Sequence, residues 1–511
     1  MLLQPKLVAA HDGLGERQRN HRLLYLGAYG LALLTALSVW FLAIRAPLWL
    51  DETSSYWSIS GGFGEVWSRS IKISAFPAYN YILWLTNAVF GSKELILRIP
   101  SVLAMLAAVY LLYRAARELF DQDAAIITAV VFCIHPIVIF ASIDARPYAF
   151  GALAISSALY LLVRLRHSDS DWLAAGFGIA AAAIVCFHYL FAAILPALLL
   201  CFFAFNVRDR KRVWRQFGIA LGLFVLVLLP LIPGLLSTFR DRHMFVFDKS
   251  APDPEELGWT LVPGWALVGI LGMTAAVAAV TGRLQVRGGA KSWRLLLCVS
   301  LAFIPLLILY GISAGTSLHI FVWRYRLVAV PGIALGWGLF VNRINSQLIR
   351  VLFCVAVVSA TAFQSFTSPE SRRHGYTWKY ALEFAGKNAS SDNATLLICS
   401  DIPEADYLPM PVGAAVKDSS LLPSLRYYQV QAPVVGLPRA LNEQAQTIGQ
   451  SFLSRAASSH QRFLALAYRP SYSTLHWLED LASGAYRTRE LGTFDGIAVV
   501  EFAPEAVAIN P

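Results

Sequence analysis

The chain is poor in charge. Only 14% of its 511 residues are Asp, Glu, Lys or Arg, where a soluble globular chain carries about 25%. With 57% hydrophobic residues and a mean hydropathy of +0.55, this deficit excludes an ordinary soluble domain and predicts a polytopic membrane protein. Cysteine is scarce as well. Cys133, Cys186, Cys201, Cys298 and Cys354 lie in apolar runs, and only Cys399 lies in the polar last part. That leaves no candidate disulfide in the last part and no zinc-type spacing anywhere. The segments expected outside the membrane hold neither His-x-x-x-His nor clustered Asp pairs, so no metal site is expected. There is no solenoid-type repeat and no low-complexity tract. No cleavable signal peptide is expected, because the first 22 residues are polar and the first apolar stretch is too long for an h-region.

What is present is a series of long apolar runs. A spanning helix needs about 20 mostly apolar residues. Runs of that kind stand near 23–44, 95–114, 124–142, 147–164, 172–187, 189–206, 215–237, 259–281, 293–314, 325–342 and 347–366, which predicts about eleven spans. The run FPAYNYILWLTNAVF at 77–91 is shorter and suits a helix lying at the interface. Basic residues decide the orientation. With the N-terminus inside and 77–91 not spanning, RAARELFDQD, RLRHSDSD, NVRDRKRVWRQ, TGRLQVRGGAKSWR and NRINSQLIR all fall inside. The net charge of +10 therefore reports membrane orientation, and no nucleic-acid partner is expected. Residues 45–94 become a long first external loop. Residues 367–511 hold short apolar strands (TLLICS, RFLALAY, IAVVEF) alternating with helical stretches (WKYALEFAGKN, ALNEQAQTIGQSFLSRAASS), the pattern of a small α/β domain outside the membrane.

The polar residues that this topology places outside are few. LWLDETSSYW carries Asp51 and Glu52 directly after the first run. On their own these two acids suit a helix start, with Thr53, Ser54 and Ser55 as capping types. ASIDARPYAF carries Asp144, Arg146 and Tyr148 between two runs; a solvated turn in which Asp144 pairs with Arg146 would account for them equally plainly. CFHYLFAAIL places His188 in a tight turn, where a hydrogen-bonded interface histidine is the common case. VWRYRLVAVPG places Arg324, Tyr325 and Arg326 at the head of a run, where snorkelling side chains in an aromatic belt are the common case. RDRHMFVFDK gathers Arg240, Arg242, His243 and Lys249, a pattern that favours a solvated loop.

Five of these stretches, taken in order, resemble the GT-C superfamily of polyprenyl-phosphate-sugar-dependent glycosyltransferases. The likeness is to bacterial relatives of protein O-mannosyltransferases and lipid A aminoarabinose transferases. LWLDETSSYW resembles the Asp-Glu start of their first external loop, and FPAYNYILWL a degenerate "HPPL" helix. ELILRIPSVLAMLAAVYLLYRAARELF resembles their "RLPSAL…RRLFG" span. HPIVIFASIDARPYAFGAL resembles the turn at their second external loop, and VWRYRLVAVPG a late "RY…PG" segment near the donor. The start of the tail, WKYALEFAGKN…TLLICS, also resembles the external domain of such enzymes.

The resemblance implies roles. Asp51 is the general base, with Glu52 the fallback, and transfer is inverting. Asp144 helps to shape the pocket and is a second possible base; Arg146 and Tyr148 are binding residues. Arg324 and Tyr325 bind the donor phosphate, Arg326 less so, and His188 approaches the site. Apart from the resemblance, His243 with Arg240, Arg242 and Lys249 is a further candidate to face the phosphate, against the solvated loop that the pattern favours. Ser74-Ala75-Phe76-Pro77-Ala78 lacks both the His and the double proline of the family motif. The phosphate-binding Lys that aminoarabinose transferases place there is missing, which leaves Lys72 or another cation to take its part. No cofactor is expected beyond a polyprenyl-phosphate-linked sugar as donor substrate.

The sequence thus predicts a polytopic α-helical membrane protein, GT-C-like, with about 11 transmembrane helices and a C-terminal extracytoplasmic small α/β domain. Residues 1–22 form a cytoplasmic segment, 23–366 the transmembrane catalytic domain with its external loop 45–94, and 367–511 the periplasmic domain. The expected location is a bacterial inner (cell) membrane, multi-pass. The expected activity moves a sugar from a polyprenyl-phosphate donor to an acceptor on the periplasmic face, for envelope glycoconjugate synthesis or modification. Partners are membrane lipids, the lipid-linked sugar, and a glycolipid, glycan or protein acceptor. A transporter or flippase would show inverted repeats and charges at the midplane. A non-catalytic GT-C-like assembly subunit and an oligosaccharide ligase would show a similar series of spans.

Overall fold

The computed structural model describes residues 5–72, 77–205, 210–240, 252–284, 292–372, 374–390, 394–399, 422–437, 441–468 and 472–505. Helices follow one another along the chain as α1 (Pro5–Trp40), α2 (Leu50–Ile59), α3 (Phe63–Lys72), α4 (Pro77–Phe90), α5 (Glu94–Leu119), α6 (Gln122–Ile134) and α7 (Pro136–Ser142). Then come α8 (Tyr148–Leu165), α9 (Asp171–Phe187), α10 (Leu195–Phe205), α11 (Arg210–Leu228), α12 (Ile232–Arg240), α13 (Glu255–Leu261) and α14 (Trp265–Val280). The last are α15 (Ser292–Gly315), α16 (Val330–Val341), α17 (Gln347–Thr367), α18 (Lys379–Ser390), α19 (Leu422–Tyr427), α20 (Glu443–Ser458) and α21 (Tyr472–Ala482). The chain divides into two compact units. One is Met1–Arg45, Phe76–Ile82 and Leu95–Arg372; the other is Ala46–Ala75, Leu83–Glu94 and Arg373–Pro511. The loop 45–94, assigned from sequence to the transmembrane domain, thus contributes most of its residues to the unit that contains the C-terminal domain.

The first unit is a bundle of apolar helices. Six helices are long and apolar enough to cross a membrane, or up to eight if each of two bent pairs is one span. The chain is a multi-pass membrane protein, and the described helices do not confirm the count of eleven. Every apolar run is helical, but several are broken or short. The run 124–142 bends by 70° between α6 and α7, and the run 259–281 by 60° between α13 and α14. The 17-residue α9 and the 12-residue α16 fall short of the roughly 20 residues of a full span.

The break at His135-Pro136 has a local cause. Proline at the first position of a helix cannot continue the one before it. His135 caps α7 by accepting from Ile137 N at 3.3 Å. The carbonyl of Cys133, freed by the break, accepts instead from the Trp40 indole at 2.9 Å, as a buried carbonyl in an apolar layer requires. Arg98, the arginine of ELILRIPS, is fully buried. It donates to Ile44 O at 2.9 Å and Ala43 O at 3.3 Å, which satisfies open carbonyls at the end of the first helical segment.

The second unit is built on a five-stranded sheet. Its strands are β1 (Thr395–Cys399), β2 (Val434–Leu437), β3 (Phe463–Tyr468), β4 (Tyr486–Phe494) and β5 (Ile497–Pro504), in the order β2-β1-β3-β5-β4. β1 pairs in parallel with β2 and β3, whereas β5 is antiparallel to β3 and β4. Side chains alternate across the sheet. Leu397 and Cys399 face a core with Phe452, Leu475 and Leu478 of α20 and α21. Leu396 and Ile398 face another with Trp378, Leu382 and Leu425 of the α18 side. Both faces of β1 are covered, which is why it reads as a continuous apolar run. The α/β tail expected from sequence is therefore present. Burial pushes the Cys399 thiol up to about 12.

Candidate active site

In the second unit the focus is the start of α2. Trp49 is extended, and Asp51 and Glu52 occupy the first helical turn, where the helix dipole favours carboxylates. Glu52 reaches back and accepts from Trp49 N at 3.3 Å, as the acid of a capping box does. It is fully buried, and its other oxygen lies 3.7 Å from His374 Nε2, itself 3% exposed. Asp51 is only half-buried. The hydroxyls of Ser54, Ser55 and Ser58 donate back to Leu50, Asp51 and Ser54 carbonyls, and Thr53 Oγ1 lies 2.9 Å from Ser424 Oγ.

Residues far along the chain hold this helix start. Leu48 O accepts from Thr377 Oγ1 at 3.1 Å and from the Tyr428 hydroxyl at 2.9 Å. Gly375, at φ +69°, lies against Trp49, whose Cβ would be 2.9 Å from any Cβ placed there; both the backbone and the contact require glycine. Glu52 and His374 offer a carboxylate oxygen and an imidazole nitrogen, groups that suit a shared proton or a cation.

In the first unit three segments bring the other residues together: the α7–α8 turn with the first turn of α8, the α9 break, and the short helical turn Trp323–Ala329. Asp144 is fully buried in the α7–α8 turn, and Arg146 is half-buried beside it. Ser101 Oγ donates to Arg146 O at 3.5 Å. Tyr148, 1% exposed, opens α8. His188 is extended, which separates α9 from the turn Tyr189–Ile194.

The His188 ring lies 4.6 Å from Phe191, 4.9 Å from Tyr325 and 5.3 Å from Tyr148. Burial, then the charges of Arg146 and Arg324, hold its pKa well below the usual histidine value, so the imidazole is neutral near pH 7. The Arg324 guanidinium lies 5.2 Å from the Tyr325 ring centre. Gly151 of α8 makes the cluster possible: a Cβ there would be 2.6 Å from the Phe191 ring.

Arg326, one residue from Tyr325, has a different role. It pairs with Glu256, donates to Phe321 O at 3.2 Å and Thr260 Oγ1 at 3.4 Å, and fixes the α13 segment. His135 contacts the same segment, with Nε2 3.0 Å from Thr260 O.

Asp144, Arg146, Tyr148, His188, Arg324 and Tyr325 thus belong to the first unit, and Asp51 and Glu52 to the second. Lys72 ends α3, but its side chain lies outside the described residues, as do His243, Arg242 and Lys249. Sequence reasoning missed His374. Its one signal was position, in SRRHGYTWKY immediately after the last apolar run.

Solved structures share this architecture. ArnT from Cupriavidus metallidurans in the apo state matches with a TM-score of 0.55 at 14% identity, over 93% of this chain and 98% of that one. The same protein bound to undecaprenyl phosphate matches with a TM-score of 0.52 at 12% identity, over 94% and 98%. The Archaeoglobus fulgidus oligosaccharyltransferase in the apo form matches with a TM-score of 0.50 at 13% identity, over 95% and 75%. The fold is GT-C. The family model described as dolichyl-phosphate-mannose-protein mannosyltransferase matches residues 74–236. No curated protein matches it by sequence. The matched segment runs from the loop 45–94 through the Asp144 turn and His188 into α12.

Proposed function

We propose that the chain is a membrane glycosyltransferase that moves a sugar from a polyprenyl-phosphate donor to an acceptor at the periplasmic face of a bacterial inner membrane. One observation carries this reading: within a GT-C fold, Arg146 and Arg324 both act on a buried, neutral His188 set among Tyr148, Phe191 and Tyr325. A neutral imidazole adds no charge of its own beside the two guanidinium groups, and arginine forks match phosphate oxygens. The family match and the lipid phosphate bound by the neighbouring ArnT structure support the same donor class.

The reaction forms a bond between the acceptor oxygen or nitrogen and the anomeric carbon. The bond from that carbon to the phosphate oxygen breaks, and the lipid phosphate leaves with the electron pair. Arg324 and Arg146 stabilise the departing phosphate. Asp51 takes the acceptor's proton, and attack opposite the leaving group gives inversion. Glu52 is buried and engaged with Trp49 N and His374, so the half-exposed Asp51 is the better base. Buried Asp144 shapes the pocket. The reaction as written needs no metal.

Purified wild-type and Asp51→Asn protein, each given a panel of polyprenyl-phosphate sugars and a crude membrane acceptor extract, test this. Transfer by wild type, with a loss of about 10²–10⁴-fold in Asp51→Asn, is expected. Equal rates would remove Asp51 as base. Binding of polyprenyl phosphate without transfer of any sugar would favour a carrier or assembly subunit. A chelator should leave the rate unchanged; a loss restored by a divalent cation would instead assign Glu52 and His374 to a metal. A C-terminal tag should be labelled only from the periplasmic side.

A further inference from the structure

We propose that a polar pocket at the far end of the first unit holds the phosphate headgroup of an anionic membrane phospholipid, separate from any donor lipid. The pocket has a volume of about 420 Å³, within the roughly 300–1,000 Å³ of small-molecule sites. Its walls include Arg22 of α1, Arg117 of α5, Asp121 and Asp123 at the start of α6, and Gln347 and Arg350 of α17. It is far from the Arg324 cluster: Asp121 N donates to Asn342 Oδ1 just beyond the C-terminal end of α16, whereas the turn holding Arg324 leads into the N-terminal end.

Three arginines against two aspartates leave one net positive charge. The charges are unequally used. Arg350 is paired with Asp121 at 2.6 Å and lies 3.9 Å from Asp123. Asp121 also caps α6, accepting from Ala124 N at 2.9 Å. Asp123 lies in the field of Arg350 and Arg22. Arg22 and Arg117 are exposed and can turn their forks toward one phosphate. Gln347 donates a side-chain hydrogen bond to Asp123, and its amide oxygen then suits the hydroxyl or amine donors that a phospholipid headgroup carries beyond its phosphate.

Position favours a lipid over a dissolved anion. Arg22 and Gln347 are the first residues of candidate spans, and Arg117 lies in the last turn of another. The pocket therefore sits at headgroup depth, where anionic lipids concentrate basic side chains. Leu23, Leu24, Leu348 and Leu352, next to these residues in sequence, are exposed and offer an apolar surface for acyl chains. By the positive-inside reading this is the cytoplasmic end.

The test uses the full chain in detergent, mixed with phosphatidylglycerol, phosphatidylcholine or sn-glycerol phosphate, washed, and read by native mass spectrometry. Wild type should retain phosphatidylglycerol, and Arg22→Gln/Arg117→Gln should retain about tenfold less, with an unchanged circular dichroism spectrum. Should the double variant not fold, Arg117→Lys, which keeps the charge and loses the fork, should give intermediate retention. Three results would overturn the proposal: no retention by wild type, equal retention by the variants, or equal retention of phosphatidylcholine. Displacement of the lipid by equimolar sn-glycerol phosphate would replace the lipid with a soluble phosphate as the ligand.

Discussion

The two ends of the first unit both gather arginines, and they set them in opposite company. At one end Arg350 is closed by Asp121, with the aspartates already serving as helix cap and counter-charge. At the other, Arg324 lies over the Tyr325 ring, and with Arg146 it acts on a buried imidazole. Arg350 is itself buried, so burial does not separate the two ends: carboxylates offset the field of Arg350 on an incoming anion, whereas the imidazole beside Arg146 and Arg324 is neutral near pH 7. Arginine number alone does not mark a site; the neighbours decide what the charge can do.

Substitutions can sharpen or break this contrast. Arg324→Ala should have the largest effect, lowering kcat/KM for the lipid-phosphate donor by about 100-fold or more, with acceptor KM unmoved; unchanged donor dependence would return Arg324 to a snorkelling role. Arg326→Ala, two residues on, should cost about 1–3 kcal/mol of stability by leaving Glu256 and Phe321 O unmatched, read as a lowered midpoint of thermal unfolding, with a smaller effect on turnover per folded molecule. Gly151→Ala should cost about 1–3 kcal/mol and reduce transfer through displacement of Phe191 from His188. The depressed pKa of His188 means that the unfolded chain takes up a proton the folded chain refuses. Its contribution to stability is therefore present above about pH 6.5 and is lost as pH falls below that value. Melting of wild type and His188→Phe at pH 7.5 and 5.5 should show the wild type losing more. The smallest effect belongs to Lys379→Ala in the second unit, whose partly exposed pair with Glu94 at 3.8 Å is worth about 1 kcal/mol or less.

The helices of the first unit were legible because apolar runs must satisfy their own backbone in a membrane. Their breaks were less so. The run 124–142 is continuous in hydropathy, and only Pro136 hinted at a 70° bend. In the tail, β1, β3 and β5 announced themselves by burial on both faces. β4, reading YRTRELGTF, is an edge strand with exposed charges and carries no apolar signal. Among the candidate residues of the first unit, Asp144, Arg146, Tyr148, His188, Arg324 and Tyr325 could be picked out as polar interruptions between runs; in the second unit Glu52 could be picked out too. His374 could not, because its meaning depends on Glu52, more than 300 positions earlier. The same long-range pairing explains why the loop 46–75 packs with the tail although its sequence continues from the first span.

The two hydrogen bonds on Leu48 O have a consequence for biosynthesis. Their donors, Thr377 and Tyr428, are made 329 and 380 residues after it. At about 5–20 residues per second, a ribosome reaches Thr377 roughly 15–65 s after Leu48. During that interval the Asp51 segment has been translated but lacks both holding groups. Stalled or truncated chains that have not reached Tyr428 would carry the acid pair without the scaffold that orders it. Completion of the chain therefore acts as a timer on the ordering of the Asp51 segment.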